Sequence, residues 1–206
     1  FPAYRNIGHA LSKLERNDEA AAAYRSAHSL LSRQPEERKV RKEVQKEMAI
    51  AHVQHARKNE NESIVVAEHL DAAFRLMPDD QALRREAAFA MYAAGAAHGE
   101  TGDVSEALAT TRRSIHLMTQ AIGNVCGDNE PECDRQDSNM ALAQVHAAAY
   151  VNLGVLLLRS SRAAKERSNL QSSTSAAATP PQPPAEAMQA FDAAIELDPL
   201  QAGGHY

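Results

Sequence analysis

The chain has 206 residues, 44% of them apolar but only 4% aromatic and none tryptophan, so any core it buries must be alanine-rich and built from closely packed elements. Its 22 Lys and Arg are outnumbered by 27 Asp and Glu, giving a formal net charge of -5. That balance argues against a nucleic-acid backbone as the main partner, because such binding needs concentrated cations.

In chain order, Tyr4-Arg5-Asn6-Ile7-Gly8 opens an apolar helical pattern that runs through Leu11, and Ala20, Tyr24 and Ala27 carry a second helix, with Pro35 soon after. The run from Arg33 to Lys46 mixes both signs and reads as the solvated start of an extended third helix. Ile50, Val53 and Gln54 are placed on the packing face of that helix, and Leu70, Ala73 and Pro78 on the next, with Val66 in a slot that elsewhere holds alanine. Between them, Asn61-Glu62-Ser63 has the form of an N-glycosylation acceptor. Met91, Ala94, Gly95 and His98 then restore the first pattern, followed by Ala107 and Thr111. A hydrophilic loop is expected around residues 124–138. Tyr150, Leu153, Gly154 and Leu157 begin the last pair, and Ala187, Phe191, Ala194 and Pro199 close it. Separating these two helices, from about Ser160 to Pro184, lies a tract of serine, alanine and proline that includes Pro180-Pro181-Gln182-Pro183-Pro184. Nothing in it repays ordering entropy, and a disordered insertion is predicted. No apolar run approaches the roughly 20 residues of a membrane span, Val155 to Leu158 reading as core, so no membrane insertion is expected.

A glycine inside a helix costs about 1 kcal/mol relative to alanine, so its return at Gly8, Gly95 and Gly154 suggests helices whose backbones approach closely. The succession resembles the tetratricopeptide repeat, a unit of about 34 residues made of helix A, a turn and helix B. Four copies can be laid along the chain at about 1–36, 37–80, 81–123 and 139–200, the second degenerate, with Gln54 where the others carry glycine. The resemblance implies an all-α fold, a right-handed α-solenoid of antiparallel helix pairs. Residues 201–206 fall where a further helix A would begin, so the chain reads as a piece of a longer array whose exposed ends make self-association a further expectation.

Chemistry is sparse. Cys126 and Cys133 share one hydrophilic loop, a spacing compatible with a small disulfide, and no third cysteine or paired histidine supplies the ligands of a zinc site. His52 and His55 stand three apart on one helix without the carboxylate pattern of a zinc protease, and read as core or groove residues. The helical glycines are single and form no phosphate loop. No catalytic residue, cofactor or metal is expected. The family's base rate favours the cytoplasm, while a disulfide and a glycosylated Asn61 would together favour a secretory lumen.

What remains is a binding surface. The resemblance implies that helix A lines the concave groove, which places Arg5, His9, Ser12 and Lys13 there in the first copy, then Met48, Ala51, His55 and Lys58, then Phe89, Tyr92, Ala96 and Glu100, and finally Ala148, Val151, Val155, Leu158 and Arg159. Such a groove turns from basic to apolar along its length and fits a peptide with acidic residues at one end and apolar anchors toward the other. Asn6 and Asn152 occupy equivalent positions and can hydrogen-bond a peptide backbone as a partial ladder that His52 and Ala93 interrupt. Equally open at this level is that Val151, Val155 and Leu158 only pack against a neighbouring repeat. The function expected is a noncatalytic scaffold that binds a peptide or protein. The alternative is the substrate-presenting arm of a multidomain enzyme, such as a lumenal hydroxylase or glycosyltransferase.

Overall fold

The computed structural model describes residues 1–32, 37–123, 132–171 and 183–199. Eight α-helices and no strand occur among them: α1 (Pro2–Lys13), α2 (Asn17–Leu31), α3 (Arg38–Lys58), α4 (Ser63–Leu76), α5 (Gln81–Thr101), α6 (Val104–Gly123), α7 (Glu132–Gln171) and α8 (Ala185–Leu197). The chain divides into two compact units, Phe1–Met91 and Tyr92–Tyr206, with the boundary inside α5. In each, helices pack chiefly on their chain neighbours, the connectivity of an all-α solenoid of tetratricopeptide type.

In the first unit α1 packs on α2, α2 on α3 and α3 on α4. The core joins Ala20, Tyr24, Ala27 and Leu31 of α2 to Val44, Met48 and Ala51 of α3. Small residues dominate because helix axes can approach within about 8 Å only where side chains are short. The limit of that approach is reached at Gly8, where a Cβ atom would lie 2.6 Å from the Tyr24 ring. Chain reversals are tight: Gly102 ends α5 with φ of 85°, a left-handed conformation that glycine adopts freely.

The second repeat departs from its sequence register. Ile50 and Gln54, expected on the packing face of α3, are exposed, whereas Met48 and Ala51, expected in the groove, are buried. Met48 and Ala51 are buried because they face α2, in the core with Ala20, Tyr24, Ala27 and Leu31. His52 of α3 and His69 of α4 meet, with Nδ1 atoms 2.9 Å apart.

In the second unit Ile115 of α6, Ala149, Leu153 and Leu157 of α7, and Ala187 and Ala190 of α8 share a core, with Tyr92 and Phe191 packed against it. Glycine again marks the closest approaches. A Cβ on Gly95 would meet Thr111 Oγ1 at 2.5 Å, and one on Gly154 would meet the Phe191 ring at 2.6 Å.

Two boundaries read from the sequence are corrected by α7. Its 40 residues run without interruption from Glu132 to Gln171, so residues 132–138 are helix rather than loop, and 160–171 are helix rather than the start of an insertion. Arg162-Ala163-Ala164-Lys165-Glu166-Arg167 is composed of good helix formers, and Ala163 and Ala164 line a shared cavity with Gly102 and Val104 at the start of α6. The remainder of the expected insertion, residues 172–182, lies outside the described residues, as does Cys126 of the expected Cys126–Cys133 pair, while Cys133 falls at the start of α7. A further correction concerns Ala141–Arg167, which is long and apolar enough to cross a membrane by length and composition. Within the protein, Leu142, Ala147, Ala149, Leu153, Leu156 and Leu157 of this stretch are buried.

Gly154→Ala should lower stability by about 1–2 kcal/mol, because overpacking against Phe191 costs more than the gain in helix propensity. Gly99→Ala is the control, since its Cβ would sit at an ordinary 3.5 Å from Leu156 Cδ2, and it should be neutral or stabilising by up to about 1 kcal/mol. Urea unfolding of the two variants measures the contrast.

Candidate interaction surface

In the first unit the expected basic stripe is neutralised. Arg5 Nη2 donates to Glu47 Oε1 at 2.6 Å and its Nε to Glu47 Oε2 at 3.0 Å, while Glu43 Oε2 lies 3.3 Å from Nη2. The hydrogen bond to Glu47 raises the Arg5 pKa above its ordinary value. His9 stands 3.6 Å from Glu47 through Nε2, and its Nδ1 is 3.2 Å from the Tyr24 hydroxyl. Arg5 therefore fastens α1 to α3 more than it offers a free cation. Asn6 and Lys13 are exposed on α1, and Phe89 is exposed on α5. Glu43 and Glu47, which complete this face, were not singled out from sequence. Their spacing of four on α3 puts both on one stripe, but nothing local announces that Arg5 lies opposite.

His55, placed in the groove from sequence, is instead stacked on His69, with ring centroids 4.1 Å apart and planes at 27°. His52 lies on the other side of His69, at 5.1 Å. Burial depresses the His52 pKa to about 4, helped by the neighbouring His69 and Arg25 and opposed by Asp18. His69 is lowered for the same leading reason, with His55 adding to the effect. His52 and His69 are thus held neutral near neutrality. No group of three or more His, Cys, Asp or Glu among the described residues is arranged to hold a metal ion.

The second unit brings several expected residues together. Tyr92, Val151, Asn152 and Leu158 line one cleft of about 520 Å³, whose opposite wall is made by Met188, Phe191 and Ile195 of α8. Val155 is exposed on α7 outside the lining, and Arg159, also exposed, reaches back to the Gly99 carbonyl at 3.5 Å. The α8 residues were read as packing positions only, so one wall of the cleft is legible in the sequence and the other is not. Its polar lining consists of Asn152, Asp192 and Asp198, with no Lys, Arg or His.

Helix pairing of this kind is matched by a family model. Residues 1–30, which cover α1 and all but the last residue of α2, fit the tetratricopeptide repeat. The first helix pair is thus similar to a tetratricopeptide repeat. No curated protein matches the chain. The close approach that Gly8 and Tyr24 make in this repeat recurs at Gly95 with Thr111 and at Gly154 with Phe191, so the later pairs keep the repeat's packing logic where its aromatic is lost or its helices are separated in sequence. Tetratricopeptide repeats are protein-interaction elements, and an interaction role is what the match supports for this chain.

The buried His52 and its neighbour His69 give the first unit an acid-sensitive stability. A depressed folded-state pKa means the unfolded chain takes up protons first as pH falls below about 6.5, so stability is full above that value and declines toward about pH 4, where His52 itself protonates. Urea midpoints should fall between about pH 7 and pH 5, and His52→Gln, which cannot titrate, should flatten that dependence. An unchanged slope in the variant would contradict the assignment.

Proposed function

We propose that this chain is a noncatalytic interaction scaffold that binds a polypeptide in the apolar cleft of its second unit. The observation that carries the reading is the cleft between Tyr92, Val151 and Leu158 on one side and Met188, Phe191 and Ile195 on the other. Its size suits a few apolar anchors of a helical or extended segment. Asn152 on the wall of α7 can donate to and accept from a peptide backbone, which orients a ligand that apolar contact alone would leave free to slide. Arg5, already engaged by Glu47 and Glu43, is a poor anchor for an acidic ligand.

A partially exposed valine lining a cleft can be changed without removing a core side chain. Val151→Asp should therefore weaken peptides selected on the intact chain from a displayed library by tenfold or more, about 1.4 kcal/mol or above, while leaving the helical melting curve nearly unchanged. Selected peptides that bind Val151→Asp and Met188→Asp as tightly as the parent chain would remove the cleft from the account.

A further inference from the structure

The two walls of the cleft differ in character. Between Ala141 and Leu158 helix α7 contains no Asp, Glu, Lys or Arg, so its wall is apolar apart from Asn152. Helix α8 and its C-cap carry Glu186, Asp192, Glu196 and Asp198 with no Lys, Arg or His. Glu186 is engaged by Arg112 of α6, whose Nη2 lies 2.5 Å from its Oε1, and Asp198 has a partner of its own, which leaves Asp192 as the carboxylate of the cleft on which the charge preference rests. Asp192 and Asp198 line the cleft itself, and Glu196 is exposed beside them. The end of α8 adds to the same field, because a helix C-terminus presents unpaired carbonyls equivalent to about half a negative charge. Arg159, the nearest cation on α7, is directed to the Gly99 carbonyl.

We propose that the segment bound in this cleft is an amphipathic helix with an apolar stripe on α7 and Lys or Arg residues facing α8. The inference rests on the cleft being a polypeptide site, and it adds cations to the end of the ligand for which the sequence suggested apolar anchors alone. An apolar stripe of three turns matches Ala147 to Leu158, a length of about 17 Å. Cations facing Asp192 would lie at the rim, where they chiefly set orientation and encounter rate, while the apolar stripe supplies most of the affinity. An acidic helix of the same shape would instead place like charges against α8.

Two labelled synthetic peptides with one leucine and alanine stripe, flanked by lysine in the first and by glutamate in the second, test this by fluorescence anisotropy on the full chain. The lysine peptide should bind about tenfold more tightly at low salt, and the difference should shrink toward about 0.5 M salt as screening shortens the range of the field. Asp192→Lys should abolish or invert the preference, whereas Val151→Asp should weaken both peptides. Equal binding of the two peptides, or preference for glutamate, with Val151→Asp still weakening both, overturns the charge assignment and leaves the cleft reading in place. Indifference of both peptides to Val151→Asp overturns the cleft reading and this inference with it. A concentration-dependent dimer in sedimentation that Asp192→Lys or Val151→Asp dissociates would make a second copy of the chain the occupant, and would also overturn it.

Discussion

Close approach of paired helices at a residue without a side chain is the constraint on which the rest of this molecule depends. With few aromatics and no tryptophan, the chain has little bulk with which to fill space between distant helices. It draws the helices together instead, and the ring of Tyr24 or Phe191 is laid over the backbone of Gly8 or Gly154. Each glycine sacrifices about 1 kcal/mol of helix propensity, which the packing of a whole ring must offset. Alanines on either side, such as Ala20 and Ala27 or Ala187 and Ala190, let the same approach continue along the interface.

That packing also decides where a ligand can sit. Because Phe191 is directed at Gly154, α8 is held beside α7 with Met188 and Ile195 turned to the open side of the pair. Val151 and Leu158, about one turn before and one turn after Gly154 on α7, form the facing wall. The cleft is therefore a by-product of the helix-pair geometry, and its chemistry is set by which residues the two helices happen to display there. The uncharged stretch of α7 from Ala141 to Leu158 and the acidic α8 make it polarised across its width.

Much of the fold was legible because glycine, alanine and aromatic residues recur at fixed helical spacing, a signal that depends only on local sequence. The second repeat was misread because its contact position is filled by His52 and His69 instead of glycine and an aromatic, so the small-residue signal that marks the register elsewhere is missing. The extension of α7 to Gln171 was hidden by Ser160 and Ser161, which look like loop residues but are followed by strong helix formers. Of the candidate site, Tyr92, Val151, Asn152 and Leu158 were found because they lie on predicted A helices. Asp192 and Asp198 were missed because they are on a B helix that the repeat pattern assigns to packing. The pairing of Arg5 was hidden for another reason: its partner is Glu47, 42 residues away, and only the folded chain brings them together.

A double-mutant cycle between Gly154→Ala and Phe191→Leu, followed by urea unfolding, tests the central claim most directly. If the ring and the glycine share one space, the smaller leucine should relieve the added methyl, and the two changes should couple by about 1 kcal/mol or more, the pair being less destabilised than the sum of its parts. Strict additivity, within about 0.3 kcal/mol, would mean that Gly154 and Phe191 do not set the distance between α7 and α8.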